Sequence, residues 1–116
     1  MDVKKIKLAI PTKGDGGLED VVSEVFGRAN TFTIIDVEGG AVMNVDILQN
    51  PAVTYKHGAG PIVVKTLVDL GVNFVVSGEL GPGVSTLLDQ FKVSKVIVKP
   101  GTIVKEVLKI AGSHYE

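Results

Sequence analysis

The sequence contains no cysteine. That absence excludes disulfides, thiolate nucleophiles and every cysteine-based zinc or iron–sulfur site made within one chain. Histidine is scarce as well, with only His57 and His114. They lie too far apart for a His-Glu-x-x-His pair, and two imidazoles cannot make a three-histidine zinc site in a monomer. Charge of one sign is also lacking. The formal net charge is -1, which argues against a dedicated nucleic-acid binder, because the phosphate backbone demands a basic excess or a basic face. No apolar run approaches the roughly 20 residues of a membrane span, and no long apolar stretch follows the lysines at the start, as a secretory signal would require. The expectation is a soluble cytoplasmic protein with no membrane partner.

Familiar catalytic signatures are missing too. There is no Gly-x-x-x-x-Gly-Lys-Ser/Thr loop, no Gly-x-Gly-x-x-Gly fingerprint and no Gly-x-Ser-x-Gly elbow. The first strand carries no acid, and Asp36, Asp46, Asp69 and Asp89 are spread over separate elements. Two-metal phosphoryl chemistry needs grouped carboxylates, so a metal-dependent nuclease is a weak reading.

What is present suits one domain spanning residues 1–116, with 45% hydrophobic and 22% charged residues to build and cover a core. Ile6 to Ile10 reads as a strand, ended by Pro11 and a turn-rich run to Gly17. Leu18, Val21, Val22 and Val25 recur at helical spacing, which predicts a short helix. Asp15 is a candidate cap for it. Thr31 to Val37 and Ala41 to Leu48 read as strands joined through Glu38-Gly39-Gly40. A loop from Gln49 to Gly60 precedes a helix with Pro61 in its first turn and Gly71 at its end. Val72 to Val76 predicts a buried strand, and Ser77 to Gly83 a second Gly-rich loop. Val84 to Phe91 predicts a helix with Leu87, Leu88 and Phe91 inward. Lys95 to Val98 predicts a last strand, and Thr102 a cap for a final helix through Ile110, with a fraying tail beyond.

The fold class is therefore α/β, with a mixed five-stranded sheet flanked by helices. If the first and third strands run parallel, the loops Pro11–Gly17, Gln49–Gly60 and Ser77–Gly83 share one sheet edge. Ligands of open α/β sheets sit at the carboxyl ends of strands.

His57 is the candidate metal ligand or hydrogen-bond donor, just before Gly58-Ala59-Gly60 and a helix start whose free N–H groups suit an anion. Its ordinary reading is a surface-loop histidine. His114 falls in the tail and reads as bland. Gly58, Gly60, Gly78, Gly81 and Gly83 permit positive φ or close backbone approach, and each alone is more often a turn residue. The fork of Arg28 could hold a carboxylate or phosphate, pair with Asp36 or Glu24, or lock its loop. Lys13 could meet an anion or stay solvated.

Phe26-Gly27-Arg28-Ala29, a hairpin, Asn50-Pro51, His57-Gly58-Ala59-Gly60, Gly71-Val72 and Gly78-x-x-Gly81-Pro82 occur in one order. This arrangement resembles the dinitrogenase iron–molybdenum cofactor biosynthesis family over nearly the whole chain. The resemblance implies a ribonuclease H-like motif. It implies a non-catalytic carrier or binding protein for an iron–molybdenum or iron–sulfur type cluster or precursor, working with metallocluster assembly proteins, here expected as a monomer. It places His57 at the cofactor, with Arg28 and Lys13 toward an anionic portion, and Gly58, Gly60 and Gly81 join them as cofactor-binding candidates from the Gly-rich loops that open helices. Two features depart from the family pattern: Gly83 stands where Asn often follows Gly-Pro, and no cysteine offers a soft ligand. The competing readings are a cofactor-free regulatory or protein-interaction domain and a nuclease on the same scaffold.

Overall fold

A computed structural model describes residues 5–115, with side chains as far as Lys109. His114 therefore lies outside the described side chains. The elements are β1 (Lys5–Thr12), a 3-10 turn (Gly17–Glu19), β2 (Thr31–Glu38), β3 (Ala41–Gln49), α1 (Ala59–Asp69), β4 (Phe74–Ser77), α2 (Pro82–Gln90), β5 (Ser94–Ile97) and α3 (Val104–Tyr115). The sheet order is β3-β2-β1-β4-β5. β1, β2 and β3 are antiparallel neighbours, whereas β4 and β5 run parallel to β1. The expected mixed five-stranded α/β sheet is what forms.

Alternation along the inner strands explains why helices cover both faces. Ala9, Phe32, Ile34 and Val75 point into a core shared with Val63, Val64 and Leu67 of α1 and Leu88 of α2. Leu8, Ile10, Ile35, Val37, Phe74 and Val76 point the other way, onto Val104 and Val107 of α3. The β2–β3 hairpin turns at Gly39 and Gly40, with φ of 59° and 83°. Two positive-φ residues match the twist of a two-residue hairpin, and glycine adopts them without steric cost.

Several expectations are corrected. Leu18 to Val25 is not a helix beyond the single 3-10 turn. Its amides find partners far along the chain instead. Val22 N–H donates to the Thr102 carbonyl (2.9 Å), Ser23 N–H to Pro11 (2.8 Å), and isolated bridges join Thr12 to Val22, Val21 to Ile103 and Val25 to Glu79. β-Branched valines favour such an extended path. Asp15 caps nothing, since its carboxylate accepts from Gln49 Nε2 at 3.1 Å. Asp20 organises the turn, taking the amides of Gly14, Gly16 and Val21 at 2.7–3.0 Å. Pro11 lies inside β1, opposite Phe32. The parallel ladder to β4 joins only Leu8 and Ala9, so a residue without N–H is tolerated beyond it.

At the other end of the chain, β4 and β5 are set by their parallel register, Phe74 on Ser94 through Ser77 on Ile97. That register moves both strands one or two residues from the pattern in the sequence. α2 begins at Pro82, whose missing N–H is harmless at the first helical position. Phe91 is the residue closing α2 and is 49% exposed, so it does not face inward. The Thr102 hydroxyl donates to Lys99 O (2.6 Å) rather than capping α3. The leading amide of α3, on Val104, goes to Asp20 O at 2.8 Å. α3 continues past Ile110 to Tyr115, because glycine at position 112 weakens a helix without stopping it unless it turns left-handed.

Candidate functional site

The topology brings three loops to one edge. β1, β3, β4 and β5 all run the same way, so the loops that leave β1, β3 and β4 emerge together at the carboxyl end of the sheet. The segment entering β2 from Phe26 to Asn30 lies there too. Phe26 is fully buried and meets Phe32 edge-on, with ring centroids 5.3 Å apart. That aromatic anchor fixes the backbone of Gly27 and Arg28.

Two polar side chains tie this segment to the loop after β3. Buried Asn50 donates from Nδ2 to Gly27 O (3.1 Å) and Ala29 O (2.8 Å), and its Oδ1 accepts the Ala52 amide at 2.8 Å. Arg28 donates from Nη1 to Tyr55 O and from Nη2 to Lys56 O, the latter at 2.7 Å. Arg28 thus locks the loop just before His57, and it pairs with neither Asp36 nor Glu24. A planar guanidinium spans two carbonyls in a way a lysine cannot.

The glycines divide by role. Gly58 caps α1 at φ 74°, with no atom within 4 Å of a notional Cβ. Gly60 is a packing glycine, because a Cβ there would lie 2.6 Å from Val84 Cγ2 of α2. Gly27 approaches the backbone of Gly60, and Gly78 is pressed by Pro100 and the carbonyls of Ser23 and Glu24. Gly81 caps α2 in an extended conformation facing open space. The glycines therefore let the two helix starts come together and leave their first turns uncovered.

Neither α1 nor α2 has a side-chain cap or an acidic residue in its first turn. The unpaired amides of a helix start carry partial positive charge. Between them opens a cavity of about 410 Å³. His57, Gly58, Gly60, Gly81 and Arg28 all line it, together with Lys56, Glu79 and Val84. Lys13 does not. It lines a smaller neighbouring cavity with Ser23, Glu24, Val25 and Arg28. Sequence reasoning missed Lys56, Glu79 and Val84. Lys56 could have been found beside His57, but Glu79 and Val84 reach the cavity only through the β4–α2 connection. Among the described residues, no group of three or more His, Cys, Asp or Glu could hold a metal ion.

A family model described as dinitrogenase iron–molybdenum cofactor matches residues 4–113. The chain belongs to this family. An uncharacterised protein of Methanocaldococcus jannaschii is 27% identical over 110 residues, covering 95% of this chain and 88% of that one. A solved NifB-like protein from Thermotoga is 32% identical, with TM-score 0.71 and coverage of 94% and 88%. The apo form of the orange protein from Desulfovibrio gigas superposes with TM-score 0.82 at 24% identity, over 94% of this chain and 88% of that one. That last likeness shows the fold. Against the family frame, His57 to Gly60 begin the helix on one side of the cavity, and Gly81-Pro82 begin the helix on the other. No helix among the described residues is long and apolar enough to cross a membrane.

Proposed function

We propose that this family member is a non-catalytic carrier for a pre-assembled iron–molybdenum or iron–sulfur type cluster, or its precursor, held in the 410 Å³ cavity. The observation that carries the reading is the pairing of two helix starts without side-chain caps over one cavity lined by Arg28, Lys56, His57 and Glu79, where two cations and the helix amides outweigh the single Glu79 carboxylate. Such a surface attracts an anion. The donor set fits a particular kind of cargo. With no cysteine in the chain and no group of three metal-ligating residues among those described, a bare ion would find too few ligands. A cluster bringing its own sulfur ligands and net negative charge needs only hydrogen bonds, cations and at most one imidazole.

In that role His57, exposed on its loop, supplies a single ligand or hydrogen bond to the cargo. The free amides at the starts of α1 and α2 and the Lys56 ammonium stabilise its charge. Arg28 holds the His57 loop in place. A carrier of this kind would receive and deliver its cargo through metallocluster assembly proteins, consistent with the family's name. The absence of grouped carboxylates among the described residues supports a non-catalytic role over a nuclease.

The test is anaerobic reconstitution with metal analysis and absorption spectroscopy. Stoichiometric uptake of an intact cluster, lost or weakened in His57→Ala, is expected. Unchanged uptake in that variant removes His57 from the site. Absence of any uptake, with co-purification of one protein partner, would favour the cofactor-free interaction domain. Divalent-metal-dependent cleavage of RNA–DNA hybrids would revive the nuclease.

A further inference from the structure

Beyond that reading, the structure holds a second cavity with its own chemistry. It measures about 320 Å³ and is lined by Lys13, Ser23, Glu24, Val25 and Arg28. Its volume lies near the lower end of small-molecule sites, which start at roughly 300 Å³. The backbone around it is tied down. Lys13 O accepts Asn30 Nδ2 at 3.0 Å, Ser23 N–H donates to Pro11 O at 2.8 Å, and Glu24 O accepts the Glu79 amide at 3.1 Å.

Of the charged side chains on this frame, Lys13 and Glu24 form no ion pair among the described residues, and Arg28 bonds only to carbonyls. Six described acidic residues form ion pairs with lysines. Asp15, Asp20 and Asp46 accept hydrogen bonds. Among the described residues, only the carboxylates of Glu24 and Glu79 have no partner, and each of these residues lines one of the two cavities. Among the described lysines, Lys13, Lys56, Lys92 and Lys99 form no ion pair, and Lys13 and Lys56 divide between the two cavities. Arg28 spends two donors on carbonyls, and a guanidinium has five.

We propose that this second cavity binds a small acidic amino acid. Its lining offers two cations, Lys13 and Arg28, and one anion, Glu24. A simple carboxylic acid would set its charge against Glu24. A simple amine would face two cations. Either sets a charged group beside one of like sign, which is unfavourable. Two carboxylates and one ammonium match the lining in number and sign. The carboxylates take charge-assisted hydrogen bonds from Lys13 and the free edge of Arg28, and the ammonium donates to Glu24. The Ser23 hydroxyl can donate or accept, and Val25, 48% exposed, offers apolar contact to the methylene carbons.

The experiment is calorimetric titration of the metal-free protein with L-glutamate and L-aspartate, using glutarate and 4-aminobutyrate as controls. The probes contain no metal, so failure here is separate from failure of cluster uptake. One of the two amino acids should bind saturably, and at least about tenfold more tightly than the controls, which each lack one charge-assisted contact. Lys13→Met should weaken it by at least about tenfold. Glu24→Gln should weaken the amino acid similarly while leaving glutarate as tight or tighter, a reversal that general loosening of the fold would not produce. The proposal is overturned if neither amino acid binds saturably, if glutarate equals them in the unaltered protein, or if neither substitution changes affinity.

Discussion

The side-chain amide of Asn50 lies 2.8 Å from the carbonyl oxygen of Ala29. That bond joins the loop bearing His57 to the segment bearing Arg28. With the further bonds to Gly27 O and from the Ala52 amide, three polar groups depend on one buried side chain. Asn50→Ala would strand them together, and each unsatisfied buried group costs about 1–3 kcal/mol. A loss of about 3 kcal/mol is expected in equilibrium urea unfolding. Asn50→Asp should be worse at neutral pH, since a carboxylate oxygen would replace the donor between two carbonyls. Acidification should partly rescue Asn50→Asp by restoring an O–H donor. Equal stability of the two variants at all pH values would show that the carbonyls do not need this donor.

The cavity glycines should respond to alanine in a graded series. At Gly81 the space is open and φ is −66°, so the cost is confined to a weaker cap, less than about 1 kcal/mol. At Gly58 space is also open, but φ is 74°, and a left-handed alanine costs about 1–2 kcal/mol. At Gly60 the clash with Val84 predicts about 1–3 kcal/mol of overpacking. Val84→Ala should relieve the last effect alone. A double-mutant cycle checks this, and additivity of Gly60→Ala with Val84→Ala would refute close helix packing as the reason for the glycine.

Asp20 makes the turn after β1 sensitive to acid. Burial raises its pKa, but hydrogen bonds from the amides of Val21, Gly16, Gly14 and Lys13 outweigh this and hold it below the ordinary value of 3.8. A pKa depressed by folding adds stability above the unfolded value, and this stability is lost as pH falls through the folded value. The unaltered protein should therefore lose more stability than Asp20→Ala on acidification below about pH 4. Thermal unfolding of the two across that range is the measurement. Parallel curves would show that the carboxylate's charge contributes nothing.

Much of this architecture is legible locally. Gly39-Gly40 between alternating apolar runs marks a hairpin, and the spacing of Ile62, Val63, Leu67 and Val68 marks α1, whereas Leu70, in the same pattern, closes the helix exposed. The failure at Leu18 to Val25 has a physical cause. Its four apolar residues fit a helical stripe, but the amides of Val22 and Ser23 are claimed by Thr102 and Pro11, partners that no local pattern announces. The site divides in the same way. His57 to Gly60 and Gly81 are visible as glycine-rich turns before helices. Lys13 also stands in a visible loop, yet the loop's path sends it to the other cavity. Asn50 reads as a turn residue before proline, and its burial follows only from the convergence of β2 and β3 at their ends.

Arg28 offers a way to separate charge from positioning in the main cavity. Its Nη1 and Nη2 hold the carbonyls of Tyr55 and Lys56, and the next residue is His57. A lysine at position 28 would keep the positive charge but could not bridge both carbonyls with a rigid fork. If Arg28 acts by fixing the His57 loop, Arg28→Lys and Arg28→Ala should impair cluster uptake about equally, and both should speed amide hydrogen exchange from Val53 to Gly58. If it acts by charge alone, Arg28→Lys should retain uptake while Arg28→Ala loses it, with exchange unchanged in both. The two carbonyl contacts support the first outcome. Cluster uptake measured beside hydrogen exchange on the same three proteins decides between them.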